Sequence, residues 1–400
     1  MAGENPVDAK RPSRRGLLFA GAATGLGAIA ALGIDSLAQS ASPAGASEPL
    51  HGPETVPFYG EHQAGITTEP QAYASYVGLS LREEVDRDGV QKLLRLLTDD
   101  AARLTQGREA LADTEPELAG LPARLTVTFG FGTAVLELAG SSAAHVKPLP
   151  EFGIDRLEPR WSGGDLLLHI AANDRLTVSH AQRMLLKDAR SFATVKWIQD
   201  GFRRARGSEA SGTTMRNLFG QVDGTVNLVP GTEDFNQLVW NEDGSTTMVL
   251  RRIHMNLETW DEVDRSGREF SVGRTLDNGA PLTGSQEHDE PDFRRLTVNG
   301  FAVISDQAHI RRARSENPGE RIFRRGYNYD VPPAGEDISD SGLIFVSYQK
   351  SVSKQYVPLQ QRLDQLDALN QWTTPIGSAV FLIPPGCQEQ GFIGDTLFAA

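Results

Sequence analysis

Three short segments carry residues whose types and spacing could do chemistry. Gly220-Gln221-Val222-Asp223-Gly224-Thr225 presents one carboxylate between two glycines; glycine lets the backbone approach a flat ligand closely. Asp306-Gln307-Ala308-His309-Ile310-Arg311-Arg312 holds a single histidine, and Ile322-Phe323-Arg324-Arg325-Gly326-Tyr327 holds two arginines bracketed by aromatics. A carboxylate can relay a proton. A guanidinium, which stays protonated, can instead stabilise negative charge as it develops. None of the eight histidines forms an H-x-x-x-H or H-x-x-E-H pair, which gives a zinc enzyme little support. A histidine acting alone suits the axial position on a haem iron, where no second protein ligand is needed.

These segments must be positioned by a scaffold. Alternation or apolar runs predict strands over 74–81, 124–130, 165–171, 246–254, 342–348 and 378–383. Helical spacing predicts helices over 89–104, 179–192, 257–263 and 356–369, with Leu93, Leu94, Leu96 and Leu97 facing a core. Strand, helix, strand with antiparallel returns, stated twice, predicts an α+β fold of two ferredoxin-like halves. The boundary falls at 219/220, giving halves of 55–219 and 220–400. The Gly-, Ser-, Thr- and Asn-rich stretch 205–230 is long for a plain connection, and long loops in compact proteins are often functional.

Ahead of the halves lies an address. Ser13-Arg14-Arg15 precedes a mild apolar run from Leu17 to about Leu32, too short and too weakly apolar for a membrane span of roughly 20 residues. Ser36-Leu37-Ala38 is a small-x-small cleavage pattern, with Ala41 a second candidate. This order predicts a twin-arginine export signal over 1–38, read by the twin-arginine translocase, and a disordered linker over 39–54. The expected destination is periplasmic or extracellular. Cys387 is the lone cysteine, so no intrachain disulfide can form and the chain must rely on its core. The signal carries four basic residues (Lys10, Arg11, Arg14, Arg15) and three acidic ones (Glu4, Asp8, Asp35), so its removal takes the net charge from −13 to −14. A chain this acidic repels phosphate backbones, which argues against nucleic-acid binding.

The order and spacing of the G-x-x-D-G, A-H-I-R and F-R-R-G-Y segments resemble the dye-decolourising peroxidases, in particular the exported branch that includes the deferrochelatases. Val56-Pro57-Phe58-Tyr59-Gly60, Gly279-Ala280-Pro281-Leu282-Thr283-Gly284 and Asp367-Ala368-Leu369-Asn370 fit the same branch, and the similarity spans 55–393. The resemblance implies two ferredoxin-like halves whose antiparallel sheets enclose haem b, with helices outside. It implies His309 as the iron ligand, Asp223 and Arg324 as the catalytic pair on the opposite face, and Arg274 pairing with a propionate. Gly224, Thr225, Asn227 and Phe345 would line the cofactor. A carboxylate stands behind the histidine in relatives, and the position aligned with it here is Asn370, with Asp367 nearby. The activity implied is reduction of hydrogen peroxide through a ferryl intermediate, with organic donors such as dyes and phenols oxidised. Release of iron from haem and non-catalytic haem transfer are the alternatives, although transfer has no need of Asp223 and Arg324. Trp197, Trp240, Trp260, Trp372 and Tyr327 are candidate electron relays to bulky donors, and a homo-oligomer is compatible with this reading. Because free aspartate titrates near ~3.9 and free histidine near ~6.5, a distal aspartate should keep accepting protons at roughly pH 4–5.

The export reading has a direct test. Replacing Arg14 and Arg15 together by lysine should trap a folded precursor in the cytoplasm, seen by fractionation; normal export of that variant would refute the assignment.

Overall fold

The computed structural model describes residues 50–333, 335 and 337–399. The export signal and residues 39–49 of the linker lie outside them. Gly52 and Glu54 already accept hydrogen bonds from the Ala123 and Arg124 amides at 2.8 and 2.7 Å, so contact with the body begins before residue 55.

Among the described residues nine strands form one antiparallel sheet: β1 Tyr73–Leu81, β2 Thr126–Phe131, β3 Leu166–Ala172, β4 Ala193–Phe202, β5 Thr246–Met255, β6 Phe323–Arg324, β7 Tyr327–Val331, β8 Asp340–Gln349 and β9 Thr373–Ile383. The order is β5-β9-β2-β3-β1-β4-β7-β8-β6, and β5 also pairs with β8 over Thr247↔Gln349 to His254↔Gly342, so the sheet closes on itself. Within it, β2-β3-β1-β4 and β7-β8-β5-β9 repeat one arrangement, the interleaved order of a ferredoxin-like unit. The expected α+β architecture therefore holds. The two half-sheets, however, are joined edge to edge through β4–β7 and β2–β9 rather than facing each other across a gap. Gly201 makes one seam possible. A Cβ there would lie 2.7 Å from both the Tyr327 Cβ and the Ile344 Cδ1, beside the Phe202↔Asn328 pair.

The interior of the closed sheet is closely packed with large side chains. Tyr76, Leu167, Trp197, Met248, Tyr327, Ile344, Val346, Tyr348 and Phe381 form its core, each at most 4% exposed. Full burial of large apolar side chains contributes roughly 1.5–3 kcal/mol apiece, so opening this interior to admit a large ligand is disfavoured. A second core lies between the sheet and the helices Arg87–Leu104 and Arg175–Ala189. Asp86 and Asp174 cap those helices by accepting from the Gly89 and Leu176 amides, satisfying first-turn donors that would otherwise lack partners. Leu93, Leu94 and Leu97 face this core as the spacing predicts, whereas Leu96 sits half-buried on the flank.

Three elements depart from the sequence expectation. The helix expected over 356–369 is a π turn Val352–Tyr356, then a helix Val357–Leu366, then a 3₁₀ turn Ala368–Gln371 capped by Asp367. Strand β4 and the stretch 323–331 were not anticipated. The latter is continuous in register, pairing Phe323↔Tyr348, Arg324↔Ser347 and Tyr327↔Ile344 on β8. Alternation then turns Phe323, Tyr327 and Tyr329 inward, with Arg325 between them, while Arg324 and Gly326 face out. Among the described residues no helix is long and apolar enough to cross a membrane.

One acid pair makes stability depend on pH. Asp188, on the helix Arg175–Ala189, sits beside Asp100; burial and then the neighbouring Asp100 push its carboxyl up to about 8. The folded state thus keeps a proton that the unfolded chain gives up near ~3.9. This contribution is complete below that value and is lost as pH rises toward 8. Asp188→Asn should flatten the fall in stability between about pH 4 and 8 and raise stability at the alkaline end, measured by urea denaturation across that range. An unchanged slope would remove Asp188 as its source.

Candidate active site

The site is built on the outward side of β8 and the loops around it. On β8 itself, Ile344, Val346 and Tyr348 enter the barrel, leaving Leu343 and Phe345 outside. Phe345 is half-buried, its ring 5.9 Å from Tyr356. Gly326 stands opposite it in the register of the neighbouring strand, so no side chain competes for that space.

Arg324 projects from the same outward face. Its Nη1 donates to Asp223 Oδ1 at 3.1 Å, and the two side chains keep 27% and 23% exposure, enough to meet a small molecule. Both partners are fixed from behind. The Asp223 amide donates to the Met215 carbonyl at 2.8 Å, and Asn217 Nδ2 reaches Asp223 Oδ2 at 3.4 Å. Asn227 clamps the Arg324 backbone twice, accepting from its amide and donating to its carbonyl, both at 2.8 Å. Asn227, expected to line the cofactor, thus holds the backbone from which Arg324 projects. Gly224 has φ +130°, a conformation that L side chains rarely adopt, and it lets the loop turn directly after Asp223.

Thr225, also expected to line the cofactor, bonds to an acidic side chain. Its hydroxyl and that of Thr214 donate to the same oxygen of Glu287, at 3.0 and 2.6 Å. Arg274 is 6% exposed, and its Nη1 donates to the carbonyls of Gly279 and Glu287 at 2.6 and 2.7 Å. Nε and Nη2 have no acceptor among the described residues. Burial lowers its pKa and Glu287 opposes that, yet guanidinium remains charged.

His309 opens the short helix His309–Arg312. Its Nδ1 is 2.6 Å from Asp367 Oδ2, while Asp367 Oδ1 accepts from the Leu369 amide at 3.0 Å and so caps the next turn. The carboxylate behind the histidine is therefore Asp367, and the alignment with Asn370 is corrected. Asn370 turns away, donating to the Leu363 carbonyl at 2.8 Å. With Nδ1–H committed to Asp367, Nε2 carries the free lone pair. The imidazole is 32% exposed. Burial works against its protonated form, but the charge and hydrogen bond of Asp367 more than offset this and leave the imidazole more basic than usual. Asp223 also favours the proton and Arg324 disfavours it, so both lie within electrostatic reach of His309.

A small apolar cluster ties these loops together. Phe219, Met255, Trp260, Val272 and Leu369 form it, with Ile310, Leu343 and Trp372 packed against it. It joins the segments carrying Asp223, His309 and Asp367 to β8. Trp260 and Trp372 meet edge to face at 5.1 Å within it. Trp197, Trp240 and Tyr327 belong instead to the barrel core.

The donor set fits a haem. One imidazole nitrogen is held by a carboxylate, which leaves the other available to hold an iron. The spare donors of Arg274 suit an anionic edge, and Phe345 offers an apolar wall.

Comparisons with known proteins agree. Residues 63–203 match the N-terminal model of the Dyp-type peroxidases and residues 214–388 the C-terminal one. The chain is 34% identical to a dye-decolorizing peroxidase of Thermobifida fusca over 98% of this chain and 99% of that protein. It is 32% identical to a deferrochelatase of Escherichia coli O157:H7 over 99% of both. A crystal structure of a DyP-type peroxidase from Cellulomonas bogoriensis superposes with a TM-score of 0.85 at 51% identity, covering 88% of this chain and all (100%) of that one. Ferric DtpA from Streptomyces lividans gives 0.84 at 35% identity, covering 88% and 100%. With both halves of the chain matched and relatives above 30% identity along nearly its whole length, the chain belongs to the DyP-type peroxidase family.

Proposed function

We infer that the protein is an exported peroxidase that reduces hydrogen peroxide and oxidises organic donors such as dyes and phenols, with haem b as its cofactor. One observation carries the reading: a histidine backed by a carboxylate and an Asp223–Arg324 pair that keeps part of its surface open are carried on segments that one apolar cluster ties to β8. When bound, haem supplies the redox chemistry, taking two electrons to peroxide and recovering them from donors.

The remaining work falls to this chain's own groups. His309 would hold the iron through Nε2, with Asp367 fixing the ring and raising its donor strength. Arg274 would receive a propionate, and Phe345 would exclude water beside the reacting oxygens. Asp223 would take the proton from the inner peroxide oxygen and return it to the outer one, which leaves as water. Arg324, aimed by Asn227, would stabilise the negative charge that builds as the oxygen–oxygen bond breaks. The aspartate–arginine contact orients the base before peroxide arrives. Export by the twin-arginine route fits a protein that acquires its cofactor before leaving the cytoplasm. The similarity to deferrochelatases supports a second reading, release of iron from haem. Product analysis separates the two, since that reaction yields intact free porphyrin and needs no donor.

In stopped-flow reactions of the haem-loaded protein with peroxide, Asp223→Asn should slow the first step on the order of 10²–10⁴-fold and Arg324→Leu about 10²–10³-fold. These ranges overlap, so the pH profile decides the roles. The wild type should show an acidic limb that Asp223→Asn abolishes and Arg324→Leu only moves. An Asp223→Asn variant keeping both rate and limb would exclude Asp223 as the proton acceptor.

Asp367→Asn preserves a side chain able to bond His309 but removes the charge. It should weaken haem binding roughly 10–100-fold, followed by optical titration, while Asn370→Ala should leave it within about twofold, since Asn370 touches only backbone. Equal losses in both variants would return the supporting role to the whole turn.

A further inference from the structure

Of the four buried arginines among the described residues, two pair with carboxylates. Arg251 pairs with Asp155, and Arg252 lies 3.5 Å from Asp340 and also donates to Gln199, whereas Arg274 donates to the backbone carbonyls of Gly279 and Glu287 in the candidate active site. Arg325 is 1% exposed and pairs with no carboxylate among the described residues. Its Nη1 donates to the Thr68 carbonyl and its Nη2 to Gln71 Oε1 at 2.6 Å, while Nε meets no acceptor.

Around this guanidinium the barrel interior collects further unpartnered polar groups. The hydroxyls of Tyr76, Tyr327 and Tyr348 and both ring nitrogens of His169 lack hydrogen-bond partners, and all four residues are 0% exposed. Tyr76 stacks on His169 at 4.4 Å, and Tyr327 stands edge-on to them at 6.2 and 6.4 Å. The charge of Arg325 acts on Tyr76, His169 and Tyr348. Arg203 brings a second positive charge over the Tyr327 ring at 5.0 Å. The buried carboxylates among the described residues are Asp100 and Asp367, one on the helix Arg87–Leu104 and one behind His309. Asp223 acts on Arg203, but it is engaged by Arg324 on the outward face.

Water alone would satisfy the hydroxyls and leave the guanidinium without a counter-charge in a region of low dielectric, where an unpaired charge is most costly. A small anion meets both needs. The geometry points to a sealed anion site inside the barrel, which takes one monovalent ion of halide size on Arg325 Nε–H and the hydroxyls of Tyr76, Tyr327 and Tyr348. The close packing of large side chains in this interior favours a single-atom ion over a branched oxyanion. Burial keeps His169 neutral, so one of its ring N–H groups can join the donor set without adding charge. This site rests on the barrel and is independent of the peroxidase reading.

Bromide is the probe. Crystals of the haem-loaded protein grown in sodium bromide, measured at the bromine absorption edge, should show an anomalous peak inside the barrel in contact with Arg325 Nε. The peak should vanish in Arg325→Met and weaken in Tyr348→Phe. In solution, Tm should rise with bromide or chloride beyond its response to acetate at equal ionic strength. Well above the dissociation constant, each tenfold increase in halide multiplies the folded-to-unfolded ratio about tenfold. Solvent density without anomalous signal overturns the proposal, as does a halide-specific Tm response that survives Arg325→Met. Should Arg325→Met fail to fold, the wild-type diffraction experiment and Tyr348→Phe decide the matter.

Discussion

Pairing of β5 with β8 is the constraint on which the rest of this structure depends. Without it the sheet would be open, with β8 exposed along one side and the tyrosine-rich interior facing solvent. With it, side chains of β8 must alternate between a closely packed interior and the outside. That alternation sends Phe345 and Leu343 outward, and the register shared with 323–331 sends Arg324 to the same side. The rigid barrel thus offers a wall rather than a cavity. Chemistry is assembled on that wall by loops.

Those loops are held by two devices of different kinds. An apolar cluster around Trp260 sets where the segments sit, and hydrogen-bonded carboxylates and amides set where their side chains point. Each chemical group has a brace that leaves its working atom free: Asp367 for His309, Asn227 for Arg324, and the Glu287 and Gly279 carbonyls for Arg274. Such bracing limits the reorganisation needed when charge develops, the condition under which electrostatic stabilisation is most effective.

Much of this was legible in the sequence. Strongly apolar strands such as β3 and β5 and the capped helices announce themselves by periodicity, and the repeated strand–helix–strand rhythm gives the architecture. The segments around Asp223, His309 and Arg324 stand out because glycine, histidine and paired arginine occur where a plain turn would not need them. Other features were hidden for physical reasons. Strand β4 mixes exposed Val195 with inward Gln199 and Gly201, because it forms a seam and not an ordinary core strand. The 323–331 strand alternates faithfully, but its inward positions include an arginine and two tyrosines, so the apolar pattern was masked. Asp367 was missed as the partner of His309 because a helix read through to 369 placed it mid-helix. In fact the helix stops at Leu366, and Asp367 turns out as a cap. Asn227, Thr225 and Glu287 reveal their bracing roles only when segments distant in the chain are brought together.

Adjacent arginines with opposite orientations have an evolutionary consequence. Arg324 and Arg325 are neighbours in sequence yet belong to different solvents, one to the open face and one to the barrel interior. Their identical chemistry hides the fact that they are not interchangeable. Loss or gain of one residue between Arg325 and Tyr327 would leave both arginines in place but drive the tyrosines out of the core and a polar neighbour into it. Descent with insertions should therefore be tolerated in the connecting loops and forbidden across positions 323–329. The reading frame of a short strand then becomes as heritable a trait of the molecule as any single residue of its site.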